Sequence, residues 1–305
     1  MILVLGSHGQ VGQALVEQLG EIPEHVFLHR ESRDYCGDLT DTAGITETLM
    51  ELRPEIIINA AAYTAVDRAE SEPEIAEKVN AKAPAVIAQV AAKLGSLLIH
   101  YSTDYVFDGS GTRPWQETDP CKPLSVYGKS KHAGEEAIVA AGGRHYILRT
   151  SWVYGRHGKN FLKTMLQLAE KQASINVVND QWGVPTCADY LADITLALID
   201  RSTPGLGAEF NKAPAHGIYH CAPAGETSWF DYARLAINHA KACGAAQACT
   251  QINPIPTSAY PTAAKRPLNS RLNTRKLAQA LGVGPPDWQE AVIQTVGELL
   301  NQPEE

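Results

Sequence analysis

Met1-Ile2-Leu3-Val4-Leu5-Gly6-Ser7-His8-Gly9-Gln10-Val11-Gly12 is the stretch that decides the fold. An apolar run of strand length leads into spaced glycines, after which Ala14, Leu15, Val16 and Leu19 recur at helical spacing. Strand, glycine turn and helix thus follow without a break. Such a turn brings the backbone close to a pyrophosphate, which then sits against the free N–H groups and positive dipole end of the helix. The spacing is G-x-x-G-x-x-G instead of G-x-G-x-x-G, and its place between strand and helix favours a dinucleotide site over a merely structural turn.

Further apolar runs lie at residues 26–28, 56–59, 97–101 and 146–149. They are nearly continuous, as strands buried on both faces of a parallel sheet are. Helical patterns separate them, for instance over residues 75–94, with Val79, Ala83, Val86, Ile87, Val90 and Ala91 on one side. The alternation predicts an α/β fold: a doubly wound parallel sheet of Rossmann type over residues 1–150. Beyond residue 150 the alternation weakens, and residues 151–305 read mainly as a smaller C-terminal substrate-binding lobe. Helices are expected near 161–171, 190–199 and 229–242, strands near 175–178 and 218–221, and a frayed tail at 303–305.

Tyr127 and Lys131 lie four residues apart, on one face of a predicted helix that Ser125 is placed to cap and that follows the breakers Pro114, Pro120 and Pro123. A phenol beside an ammonium is suited to proton transfer, because a nearby cation in a dry site draws the phenol toward ionisation. Ser102-Thr103-Asp104-Tyr105 ends the run at 97–101, where ligands of open parallel sheets bind, so Thr103 is expected to point its hydroxyl into the same crevice. The bland alternatives are a helix surface for the pair and a cap or turn for Thr103.

Glycine loop, Thr103, Tyr127 and Lys131 in that order resemble the extended short-chain dehydrogenase/reductase family. Longer stretches extend the likeness over nearly the whole chain: Gly37-Asp38-Leu39-Thr40-Asp41, Asn59-Ala60-Ala61-Ala62-Tyr63-Thr64-Ala65-Val66-Asp67, Ser102 through Gly109, Arg149-Thr150-Ser151-Trp152-Val153-Tyr154, Asp180-Gln181-Trp182-Gly183-Val184-Pro185-Thr186 and Arg266-Pro267-Leu268-Asn269-Ser270-Arg271-Leu272. The resemblance implies an oxidoreductase that passes hydride from a nicotinamide to the C4 carbonyl of a dTDP-linked 4-keto-6-deoxy sugar. It also implies that the helix near 188–200 and the strand near 217–221 pack back on the first domain. Tyr127 would donate the proton, Lys131 would stabilise the phenolate and hold the nicotinamide ribose, and Thr103 would add a hydrogen bond at the oxygen.

It further assigns Gly6, His8, Gly9, Gln10, Val11 and Gly12 to the cofactor loop, Asp38 and Leu39 to the adenine, and Ala60, Ala61, Ala62 and Thr64 to the ribose and phosphate side. Val66, Asp104, Tyr105 and Trp152 fall near the sugar, with Trp182 and Arg266 farther out; as bare residues, the tryptophans read equally as core aromatics and Arg266 as a surface ion pair. At the end of the second strand, where NAD sites place an acid, stands Leu28-His29-Arg30. The permanently charged Arg30 suits a 2′-phosphate, which favours NADPH, while Glu31 and Asp34 leave NADH open. Another nucleotide-sugar 4-ketoreductase, an epimerase, or a non-catalytic nucleotide-binding regulatory subunit are the competing readings.

The chain has 305 residues, 44% of them hydrophobic, enough for a large core. A net charge of −8 argues against a nucleic-acid footprint or a cationic membrane face. The six cysteines have neither C-x-x-C nor metal spacing and read as reduced thiols; with no leader or spanning segment read, the cytoplasm is expected. Some relatives are thought to dimerise around a metal held by glutamates. The matching positions here are Ala14, Asp189 and Gln289, so no structural metal is expected, and a monomer or weak homo-oligomer is.

Overall fold

The computed structural model describes residues 1–20, 24–202 and 213–301. The expected fraying at 303–305 falls outside them. In the first half β1 (Ile2–Leu5), α1 (Gln10–Leu19), β2 (His25–Leu28), α2 (Thr42–Leu52), β3 (Ile56–Asn59), α3 (Val66–Ala69), α4 (Pro73–Glu77), α5 (Ala83–Leu94), β4 (Leu97–Thr103), α6 (Val126–Ala140) and β5 (His145–Thr150) follow in order. The second half holds β6 (Val153–Tyr154), α7 (Phe161–Lys171), β7 (Ser174–Val178), β8 (Trp182–Gly183), β9 (Thr186–Cys187), α8 (Ala188–Ser202), β10 (Gly217–His220), β11 (Thr227–Ser228), α9 (Trp229–Ala242), β12 (Gln251–Ile255), α10 (Arg275–Leu281) and α11 (Trp288–Asn301).

Six strands form one sheet in the order β10-β5-β4-β3-β1-β2, all parallel. Both faces are buried, which is why the strands read as unbroken apolar runs. Ile2, Val4, Ile56, Ile58, Leu97 and Ile99 pack against α1, α8 and α10 on one side; Leu3, Leu5, Ile57 and Leu98 pack against α2 and α5 on the other, with Ile138 of α6. The chain reverses its direction of winding between β1 and β3, and a crevice opens at the carboxyl ends there, as it does at switch points of open α/β sheets. The strand β10 hydrogen-bonds β5 and α8 packs on α1, so part of the second half completes the first.

The remaining second half forms a lobe in which α7, α9 and α11 enclose Tyr154, Leu162, Leu166, Tyr232, Trp288, Val292 and Val296. It also holds the short strand pairs β7/β12, β8/β11 and β6/β9.

One element departs from the sequence pattern. In place of a continuous helix over 75–94, a π turn at Lys78–Lys82 separates α4 from α5. Pro84, four residues after Asn80, has no N–H to offer the Asn80 carbonyl, so the regular ladder cannot run through. That carbonyl lies against Gly134 of α6, too close for any side chain there. The Asn80 side chain accepts from the Tyr63 N–H at 2.8 Å and donates to the Tyr63 carbonyl at 3.0 Å and the Ser130 Oγ at 3.0 Å. The break in one helix thereby seats the helix that carries Tyr127 and Lys131.

Candidate active site

A cleft of about 990 Å³ lies over the carboxyl ends of β1, β3, β4 and β5. Its lining brings together Gly6, His8, Gly9, Gln10, Val11, Arg30, Asp38, Leu39, Ala60, Ala61, Ala62, Thr64, Val66, Thr103, Asp104, Tyr105, Tyr127, Lys131, Trp152 and Arg266. Gly12 stands behind the loop: a Cβ there would run into the Gly6 carbonyl. Gly6 itself is left-handed (φ 88°), and a Cβ on it would come within 2.6 Å of the Ala61 backbone nitrogen. Only glycine meets both demands. Gly9 caps α1 without a side-chain bond, leaving the first N–H groups of that helix facing the cleft.

At the far side of the loop Arg30 is three-quarters exposed and lies 3.8 Å from Asp38. His29 stacks on His8 beside it, with centroids 3.7 Å apart. The cradle of small residues, the open helix N-terminus and the guanidinium fit a phosphorylated dinucleotide.

On the opposite wall Ser125 accepts from the Gly128 N–H at 3.1 Å and starts α6. Tyr127 and Lys131 then project to the same side, and the Tyr105 ring meets the Tyr127 ring edge-on at 5.6 Å. Lys131 is buried; its Nζ donates to the Tyr101 carbonyl at 2.6 Å and lies 3.2 Å from His100 Nε2. Burial, opposed by Glu135, lowers this amine to about 8. The Tyr127 phenol departs from the expectation of a group drawn toward ionisation. Burial pushes it well up, and the hydrogen bond with Thr103 recovers part of the cost. The reason is geometric: Lys131 spends its bonds on β4. Tyr127 is therefore a loaded acid at neutral pH.

Thr103 ends β4, accepts from the Tyr105 N–H and donates to Asp104 Oδ1, both at 3.2 Å. Burial raises the Asp104 carboxyl to about 7, with Ser270 and Thr103 pulling it back. Farther out, Arg266 donates to Asp67 at 2.6 Å and to the Tyr105 hydroxyl at 3.2 Å, which holds the guanidinium on the rim.

Two aromatic placements differ from the sequence reading. Trp182 lies outside this cleft lining, with the Arg271 guanidinium 4.9 Å over its ring. Trp229, which motif reading missed, lines the cleft and stacks on Trp152. Its only sequence signal is its position as the first residue of a helix following the cap Ser228.

Below the cleft Arg149 donates to both oxygens of Glu135, at 2.9 and 2.7 Å, with both side chains buried. Among the described residues Cys121, His132 and Glu135 stand close enough to share a cation. Arg149 already supplies the positive charge there, reaching Cys121 Sγ at 3.2 Å as well. Of the positions matched to the relatives' metal, Ala14 is buried between α1 and α8, Gln289 is exposed, and Asp189 lies 3.5 Å from Arg156, which also contacts Glu17 and Glu298. Among the described residues no helix is long and apolar enough to cross a membrane.

Comparison with known proteins shows the family. The profile described as RmlD substrate binding domain matches residues 1–301. The dTDP-4-dehydrorhamnose reductase of Escherichia coli (strain K12) is 47% identical over 299 residues, covering 98% of each chain. Among solved structures, a dTDP-4-dehydrorhamnose reductase from Clostridium acetobutylicum ATCC 824 has a TM-score of 0.87 at 33% identity, covering 98% of this chain and 99% of its own. One from Bacillus anthracis str. Ames, in complex with NADP, has 0.86 at 31%, covering 97% and 98%.

Proposed function

The chain belongs to the family of the RmlD substrate binding domain, and from that premise we propose that it reduces the C4 keto group of dTDP-4-dehydro-L-rhamnose to give dTDP-L-rhamnose, with NADPH as the preferred cofactor and NADH as the lesser one. The observation that carries the reading is the convergence on one cleft of Thr103, at the end of β4, with Tyr127 and Lys131 of α6, the Tyr127 phenol pushed up by burial and the Lys131 amine held against the Tyr101 carbonyl. An acid that must deliver a proton at neutral pH has to hold it beforehand.

NADPH supplies the hydride when bound. Tyr127 delivers the proton to the C4 oxygen, and Thr103 hydrogen-bonds the same oxygen as charge develops. Lys131 holds the cofactor ribose and compensates the phenolate left on Tyr127. Asp104, Tyr105, Val66 and Trp152 border the sugar, and Arg266 faces the diphosphate. Gly6 through Gly12, with Ala60 to Ala62, Thr64, Asp38 and Leu39, cradle the cofactor, and Arg30 meets its 2′-phosphate. The setting we assign is the cytoplasm, supported by six free cysteines. A monomer or weak oligomer is supported by Arg156, which occupies the carboxylates of Glu17, Asp189 and Glu298.

The test is loss of NADPH absorbance with dTDP-4-dehydro-L-rhamnose, followed by identification of the product. Permanently held NAD with no net NADPH consumption would assign an epimerase instead. Nucleotide binding without turnover would assign a regulatory subunit.

A further inference from the structure

The lysines and arginines that line the cleft are Arg30, Arg68, Lys131, Lys159 and Arg266. All but one are committed. Arg68 pairs with Glu72 at 2.7 Å and Arg266 with Asp67 at 2.6 Å, Arg30 lies 3.8 Å from Asp38, and Lys131 donates to the Tyr101 carbonyl. Lys159 is exposed, and among the described residues neither a carboxylate nor a carbonyl meets its ammonium. In a chain of net charge −8 that has acids to spare, a cation of the cleft left without one is available to an anionic ligand.

Lys159 stands in the loop 155–160 between β6 and α7, and that loop is fastened to α1. Asn160 accepts from the Lys163 N–H at 2.9 Å and so caps α7, while its NH₂ donates to the Gly155 carbonyl at 2.8 Å and to Gln10 Oε1 at 2.9 Å. Gly158 is left-handed (φ 68°), and a Cβ there would lie 3.3 Å from Gln10 Cγ. Next to it His157 Nε2 meets Glu17 Oε1 of α1 at 2.6 Å, and Lys163 Nζ donates to the Arg156 carbonyl at 2.9 Å. Both neighbours of Lys159 therefore rest on Gln10, the first residue of α1. The backbone is held in place, and the Lys159 side chain alone is left to reach a ligand.

Gln10 opens the helix whose first N–H groups face the cleft, the end that fits the cofactor diphosphate. A helix end offers that anion only about half a positive charge, and residues 6–12 contain no lysine or arginine. We propose that Lys159 supplies the missing cation: from the loop 155–160 it meets the diphosphate oxygens that the glycine loop cradles. An ammonium on a flexible stem suits this task, which needs charge more than fixed geometry. Because NADPH and NADH share the diphosphate, Lys159 strengthens both alike, whereas Arg30 tells them apart.

The inference rests on the proposed function in taking a nicotinamide dinucleotide as the ligand, and it is read as binding to the full chain without sugar nucleotide. Calorimetry gives the dissociation constants of NADPH, NADH and ADP-ribose, which keeps the diphosphate and lacks the nicotinamide, for the wild type, Lys159→Gln and Lys159→Arg. Lys159→Gln should weaken all three by one common factor of about three- to tenfold, between the worth of an exposed ion pair and that of a charge-assisted bond. Lys159→Arg should restore most of the loss. Unchanged affinities overturn the inference, as does an arginine variant no better than the glutamine one. A loss confined to NADPH assigns the lysine to the 2′-phosphate, a loss that spares ADP-ribose assigns it to the nicotinamide side, and a loss seen only in KM for the sugar nucleotide assigns it to the substrate; each overturns the inference as well. A wild type that binds none of the three ligands overturns it together with the cofactor assignment, while binding without turnover counts against the proposed function alone.

Discussion

Trp152 lies face to face with Trp229, ring centroids 3.7 Å apart and planes 17° apart, while its own backbone is left-handed at φ 49°. A tryptophan in that region is strained, and such strain persists only where the surroundings hold it. Here they do. The indole packs against Gly183, where a Cβ would come within 2.8 Å of the ring, and Trp229 is itself held by a bond from its Nε1 to Gln181 at 3.1 Å.

If this stack forms the wall against which the sugar rests, Trp229→Leu should raise KM for the sugar nucleotide about two- to tenfold, the worth of one aromatic pair at about 0.5–1.5 kcal/mol. Turnover should stay within about threefold, and NADPH affinity should not change. Steady-state kinetics in both substrates check this; an unchanged KM means the stack is packing alone.

Tyr127→Phe keeps the ring and its edge contact with Tyr105 and removes the proton donor. Turnover should fall by roughly 10²–10⁴. Removing the hydroxyl should cost no more than about 1 kcal/mol of stability. Near-native turnover in a variant with unchanged melting would remove Tyr127 from the mechanism.

Arg30→Ala should weaken NADPH more than NADH. A charge-assisted contact is worth about 1.5–3 kcal/mol, but the guanidinium is largely exposed and shares its charge with Asp38, so the lower end applies: about tenfold. Binding titrations with both cofactors decide, and equal loss for the two sinks the assignment.

Acid stability should be governed by the buried layer beneath the site. Burial alone would push Glu135 up, yet the Arg149 bonds bring it down to about 2 from 4.5, so its stabilisation is full above pH 4.5 and is lost as pH falls toward 2. His220 runs the other way in charge and the same way in effect. Burial, then Arg149, lowers it from 6.5 to about 3, so the folded state resists the proton that the unfolded chain takes up, and stability falls from pH 6.5 downward. Denaturant melts between pH 7 and pH 3 should show a loss that begins below 6.5 and steepens below 4.5. Glu135→Gln should flatten the second part and cost about 3–5 kcal/mol at neutral pH by leaving Arg149 unpaired. A variant with the wild-type acid limb would show that the pair does not control it.

By itself the sequence determined the α/β class and the dinucleotide loop, because both follow from local patterns. Unbroken apolar runs such as Ile56–Asn59 are stable only with both faces covered, and Gly6 and Gly12 stand where no side chain fits. The four-residue spacing of Tyr127 and Lys131 likewise put them on one side of α6 before any contact was known. The tertiary structure alone decided what those groups meet. Lys131 turns to the Tyr101 carbonyl and His100, Trp229 arrives from a distant helix to stack on Trp152, and Trp182 goes to Arg271 instead of the cleft. Spacing along a helix or strand sets which face a side chain occupies. Its partner, its burial and hence its proton affinity depend on chain segments far away in sequence, and only packing brings those together.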